Sequence, residues 1–282
     1  MFDGFRLDHL DTGEATLRVR HGGDGPPIVL LHGHPRTHAT WHMVAAELAG
    51  THTVVCPDLR GYGKSSKPGD YSKRAMARDI RRLMTLLGHE RFAVAGHDRG
   101  CYVAMWVALD HPGAVTHLAV LDGVPISEAL ARADATFAEL WWHWWFFAQT
   151  EKPADRIINA DPDAWYRVSD RYMGPEAYAD LQEALHDPET VTAMVGDYRA
   201  GLHVDRADEE AARAAGRRIT CPTLFCWSTR DDLERLYGNP AAIWRDWADD
   251  LVAVPIDSGH HMAEENPRAL AAELVKLTWR KR

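Results

Sequence analysis

Asp98 stands in Gly96-His97-Asp98-Arg99-Gly100, the joint between an apolar, β-prone run, "RFAVA", and a segment with small and bulky apolar residues every three or four positions, "CYVAMWVALDHP". On so sharp a strand-to-helix turn a glycine-flanked side chain is forced upward, and the amide that follows it, at a helix N-terminus, can stabilise an oxyanion. The occupant restricts the reaction. A carboxylate can open an sp³ carbon bearing a leaving group and form an alkyl–enzyme ester, but it gains little by attacking ordinary esters or amides. Dehalogenation and epoxide opening fit that requirement. Water must then cleave the ester, which needs a general base. His260 in "DSGHHMAEENP" follows a strand-like run and Gly259, precedes a helix, and completes the chain order nucleophile, acid, histidine. The acid that orients it has two sources: Asp122 in "LDGVP", and Asp231 or Asp232 in "STRDDL". Both segments end strand-like runs, and spacing alone leaves the choice open.

Such residues need a frame that brings several strand ends to one edge. Two β-prone pieces, roughly Phe5–Leu10 and Thr16–His21, precede "PPIVLLHG" and "HTVVCPD", whose continuous apolar character predicts strands buried on both faces. A helix is expected near Trp41–Leu48 and another over Tyr71–Leu87, after the Gly/Ser/Pro-rich loop "LRGYGKSSKP". "VTHLAVLDG", "ITCPTLFCWS" and "LVAVPID" supply further strands, with helices around Ala241–Trp247 and from about Asn266. Strand and helix alternate, which predicts an α/β fold with a doubly wound, mostly parallel sheet. Between Val124 and about Gly216 no strand-like run occurs, and "EALARADATFAELWWHWWFFAQ", "PDAWYRVSDRYM" and "PEAYADLQEALH" read as helical. The expected organisation is a core from 1–123 and 217–282 with a helical cap, 124–216, set over the C-terminal ends of the strands, where open α/β sheets bind ligands.

Composition narrows the partners. The 282 residues are 46% hydrophobic, ample for a large buried core, and the formal net charge of −9 offers no basic face for nucleic acid or an anionic membrane. No run of about 18 apolar residues occurs and the N-terminal stretch has no basic-then-apolar pattern, so a soluble cytoplasmic protein is expected. Cys56, Cys101, Cys221 and Cys226 lie in apolar segments without metal-type spacing and read as buried, reduced thiols. The expected partner is a small-molecule substrate, with no cofactor, no metal, no nucleic acid and no membrane, and with a homodimer left open.

At these residues the chain resembles α/β-hydrolases of the epoxide hydrolase and haloalkane dehalogenase group, and is most similar to the fluoroacetate (haloacetate) dehalogenases. The likeness is carried by Gly96-His97-Asp98-Arg99-Gly100, "DLRGYGKSSKP", "ALDHP", "LDGVP", "WHWWF" and "DYRAG", and spans core and cap nearly end to end. It implies an α/β-hydrolase fold with a helical cap after the strand that follows the nucleophile helix. It also implies hydrolytic dehalogenation of short haloacids through an aspartyl ester, releasing halide and a hydroxy acid. By the same resemblance Asp98 is the nucleophile, His260 the base and Asp122, rather than Asp232, the acid. Arg99 would hold the substrate carboxylate, the backbone amides of His34 and Arg99 would form the oxyanion hole, and His143, Trp144 and Tyr198 would surround the departing halide. The residue types suit that last role, since an anion leaving in a dry pocket needs N–H or O–H donors on apolar bodies. One departure stands out: the family's second carboxylate-binding arginine, three residues after the first, is Tyr102 here. Arg36 in "HGHPRTH" is the nearby cation that could compensate. The departure keeps a larger 2-haloacid, a neutral halide and an epoxide in play, the last with Tyr166, Tyr172, Tyr178 and Tyr198 as candidate proton donors. A ligand receptor on a hydrolase scaffold would have no need to keep nucleophile, base and acid together.

Overall fold

In the computed structural model, which describes residues 1–280, eight strands form one sheet. They are β1 (Arg6–Asp11), β2 (Thr16–Gly22), β3 (Pro27–Leu31), β4 (Thr53–Pro57), β5 (Phe92–His97), β6 (Val115–Leu121), β7 (Thr223–Ser228) and β8 (Leu251–Ile256), in the order β1-β2-β4-β3-β5-β6-β7-β8. β2 runs antiparallel to both β1 and β4, and the remaining neighbours are parallel.

The period of two along each strand divides the core into two layers. In β3, Val29 and Leu31 face one cluster with Val94 of β5 while Ile28 and Leu30 face the other with Ala93 and Ala95. The first layer is filled by α2 (Lys73–Leu86) and α3 (Arg99–Asp110), through Leu83, Met105 and others. The second is filled by α1 (His42–Leu48) and the C-terminal helix Pro267–Thr278, through Val44, Leu48 and Leu274. All six residues of β5 are buried, and the nucleophile strand is apolar up to His97 at its end because helices cover both its faces. The edge strand β1 instead carries Arg6, Asp8 and Asp11, and charge on an edge discourages pairing with another chain.

Between β6 and β7 the described chain is helical from Ile126 to Ala214, with no strand. One expected helix is shorter than its sequence suggests: "PDAWYRVSDRYM" forms only Pro162–Tyr166. Asp161 caps it, and it stops where Arg167 turns left-handed (φ 48°) ahead of a Val-Ser-Asp stretch whose polar side chains compete for backbone hydrogen bonds. All four cysteines are buried and none is in a disulfide, as their apolar surroundings predicted. No helix of the described residues is long and apolar enough to cross a membrane.

Candidate active site

The joint between β5 and α3 has the strained form its glycines implied. Asp98 has φ 50° and ψ −119°, a conformation that a non-glycine residue holds only when its surroundings enforce it. A Cβ on Gly96 would collide with the carbonyl oxygen of Gly100, and one on Gly100 with that of His32, so strand and helix could not approach this closely with any other residue at either place. The Asp98 carboxylate does not cap α3. Its Oδ1 accepts from the His34 amide at 2.6 Å, and the neighbouring Arg99 amide favours the charged carboxylate. Burial disfavours its charge, but the charges of His260, His97 and Arg99 outweigh burial and hold the Asp98 pKa below its ordinary value. At neutral pH it is an ionised oxygen donor beside two amides.

His260 reaches the site from the loop after β8, with Nε2 3.8 Å from Asp98 Oδ2. That gap exceeds a hydrogen bond, so the ring does not tie up the oxygen. On its other side Nδ1 donates to two carboxylates at once, Asp122 Oδ2 at 2.9 Å and Asp231 Oδ2 at 2.9 Å. Asp122 sits at the end of β6 with φ 50°, fully buried, its Oδ1 accepting from the Ser228 amide at 2.8 Å. Asp231 comes from the loop after β7. The two sources that spacing left open are therefore both used, while Asp232 accepts from Trp141 Nε1 at 2.6 Å instead. Burial opposes the imidazolium, yet the bonds to Asp122 and Asp231 raise the His260 pKa well above 6.5. Burial and the neighbouring Asp231 charge push Asp232 up to about 6.

A cavity of about 310 Å³ joins these groups to the helical region; its lining includes His34, Asp98, Tyr102, His143, Trp144 and Tyr198. The Tyr198 ring lies 5.6 Å from His143 and 6.0 Å from Trp144, and Trp144 stacks on Trp141 at 5.3 Å. Neither Trp144 Nε1, the Tyr198 hydroxyl nor His143 takes a hydrogen-bond partner among the described residues. Burial lowers the His143 pKa to about 4, so it is a neutral imidazole with one N–H to give. Of the four tyrosines considered as proton donors, Tyr198 lines this cavity, whereas Tyr178 accepts from Gln182. Two groups of side chains could hold a metal ion, Asp122–Asp231–His260 and His97–His260–His261, and the hydrogen bonds of His260 already account for the first.

Arg99 departs from expectation. Its guanidinium is buried outside the cavity, donating to Asp197 from Nε at 3.2 Å and from Nη2 at 2.9 Å, with its face 4.2 Å from the Tyr198 ring. Asp197 also accepts from the Tyr62 hydroxyl at 2.5 Å and pairs with Lys73. With Nε and Nη2 both on Asp197, Arg99 keeps only Nη1 unpaired, a single donor rather than a two-pronged fork for a substrate carboxylate. Arg36 is likewise occupied, bidentate on Glu264 at 2.8 and 3.0 Å. The sequence reading missed Asp197, although it immediately precedes Tyr198 in "DYRAG". This buried cluster ties core to cap, and Asp197→Asn, which leaves the buried Arg99 guanidinium without its carboxylate, should cost about 3–5 kcal/mol, read as a lower urea midpoint at unchanged slope.

Residues 26–267 match the family described as alpha/beta hydrolase fold. A fluoroacetate dehalogenase from Burkholderia sp is 36% identical, over 95% of this chain and 91% of its own. A soluble epoxide hydrolase from Corynebacterium sp. (strain C12) is 29% identical, over 98% of this chain and 95% of its own. A crystal structure from Nostoc sp PCC 7120, assigned as an alpha/beta hydrolase, superposes with TM-score 0.95 at 35% identity, covering 100% of both chains.

Proposed function

The chain belongs to the α/β hydrolase fold family, and from that premise we propose that it is a hydrolytic dehalogenase of the haloacetate dehalogenase type, opening a carbon–halogen bond beside a carbonyl group. One observation carries the reading: the cavity that holds Asp98 also holds Trp144, Tyr198 and His143, donors without protein partners and suited to a small anion. In the first step Asp98 Oδ2 attacks the sp³ carbon and the C–X electron pair leaves with the halide, giving an alkyl ester. In the second, His260 Nε2 takes a proton from water as its oxygen attacks the ester carbon. The oxyanion that develops on Oδ1 meets the His34 and Arg99 amides, and collapse expels the alcohol with the proton from His260. The name of the Burkholderia relative supports the halide as leaving group.

Halide release from fluoro-, chloro- and bromoacetate and their amides tests the proposal, and release from none refutes it. Haloacids are the family-type substrates, but with Arg99 engaged by Asp197 they meet little positive charge. Tyr102→Arg places a guanidinium at the cavity wall and should improve kcat/KM for chloroacetate about 10-fold or more, mainly through KM, with no gain for chloroacetamide. A gain for both would show that position 102 does not face the carboxylate. A second reading, epoxide hydrolysis by the same residues, is favoured by the Tyr198 and His143 donors, which could protonate an opening oxygen. Diol formation from styrene oxide without dehalogenation selects it.

A further inference from the structure

A second chamber, about 530 Å³, lies outside the first. His34, His143 and His261 line both, so the two meet at those rings. A haloacetate, with a handful of heavy atoms, leaves the outer chamber empty, whereas pockets usually enclose most of their ligand. The outer walls carry five aromatic rings, Trp142, Phe147, Trp165, Tyr166 and Tyr172, beside the paired Arg36 and Glu264 and the charged Arg167 and Glu265. Trp142 and Trp165 rings stand 5.8 Å apart, Phe147 and Trp165 5.9 Å. Trp142 is nonetheless 49% exposed and Tyr172 45%, although Phe146 and Trp165 flank the first ring and the Arg171 guanidinium lies over the second. At the junction, His34 Nδ1, His261 Nδ1 and the Tyr166 hydroxyl are buried without hydrogen-bond partners. Charge points the same way. The inner cavity is lined by Asp98, Asp122, Asp231 and Asp232 and by no lysine or arginine; its one cation, the His260 imidazolium, is already shared by Asp122 and Asp231, and burial keeps His34 and His143 neutral. A free carboxylate would surrender its hydration there for little in return.

We propose that the substrate is uncharged and bipartite: a reactive carbon held at Asp98, an amide- or ester-like polar group at the His34–Tyr166–His261 junction, and an apolar ring-sized tail between Trp142, Trp165 and Tyr172. The proposal rests on the dehalogenase reading for the leaving group alone. Chloroacetate, chloroacetamide and N-benzylchloroacetamide separate its parts. Halide release should be most efficient for the benzyl amide, about 10-fold or more above chloroacetamide in kcat/KM, because burying a phenyl ring contributes at least that much affinity, and least efficient for the acid. Trp142→Ala, and independently Tyr172→Ala, should shrink the benzyl advantage several-fold. Calorimetric titration with N-benzylacetamide, which has no halogen to lose, reads the tail site without turnover, and it should bind at least about 10-fold more tightly than acetamide. Equal binding of the two amides, or chloroacetate turned over better than chloroacetamide, overturns the proposal. Tight binding of N-benzylacetamide with no halide released from any chloro compound supports the tail site and sinks the dehalogenase reading instead.

Discussion

Asp98→Ala abolishes turnover, by at least about 10⁴-fold, while His260→Ala alkylates once and stops, leaving on Asp98 an ester that mass spectrometry weighs. The division follows from the geometry. Alkylation needs an ionised oxygen, and Asp98 keeps its charge while its Oδ2, 3.8 Å from His260, is free to attack. Ester cleavage needs water activated at His260 Nε2, a base contribution of about 10²–10⁴-fold. The added mass identifies the alkyl group that the site accepts. Absence of an adduct in both variants would contradict the two-step scheme, and an activity lost in neither would revive a receptor on a hydrolase scaffold. The wild-type pH profile carries the same signature. Because Asp122 and Asp231 raise the His260 pKa well above 6.5 and the base must be neutral to act, hydrolysis should climb as pH rises through a value above 6.5.

Asp122→Asn, Asp231→Asn and the double variant test the doubled acid. Each single variant should lose about 10-fold or less in turnover, and the double variant about 10³–10⁴-fold, the size of a misoriented base. The two carboxylates are not alike: Asp122 is buried and anchored by the Ser228 amide, whereas Asp231 is partly exposed on a loop. Both accept from the same Nδ1, so either alone fixes the tautomer that leaves Nε2 free, and an asparagine at the other place can turn its carbonyl oxygen to the ring. Losing one carboxylate also removes part of what raises the His260 pKa, so the rising limb of the profile should move to lower pH in each single variant. A full loss in Asp122→Asn alone would reduce Asp231 to a bystander.

The sheet was legible because its signal is local. "IVLL", "TVVC" and "FAVA" are too apolar to lie anywhere but between two helical layers, and glycines two positions either side of Asp98 announce a backbone that comes too close for a Cβ. Residue type fixed the chemistry open to Asp98, and chain order pointed to His260. What the sequence left open turned on which charged groups meet across long separations. Whether His260 takes Asp122 or Asp231 depends on how the ends of β6 and β7 converge, and they converge on both. Arg99 sits beside Asp98 in the chain, yet its guanidinium pairs with Asp197, 98 residues away, because a long flexible side chain at a helix start can swing to any buried carboxylate within reach. Backbone pattern is set by neighbours in sequence, whereas the partner of a buried charge is set by whatever folding brings within about 4 Å of it, where desolvation makes an unpaired ion costly.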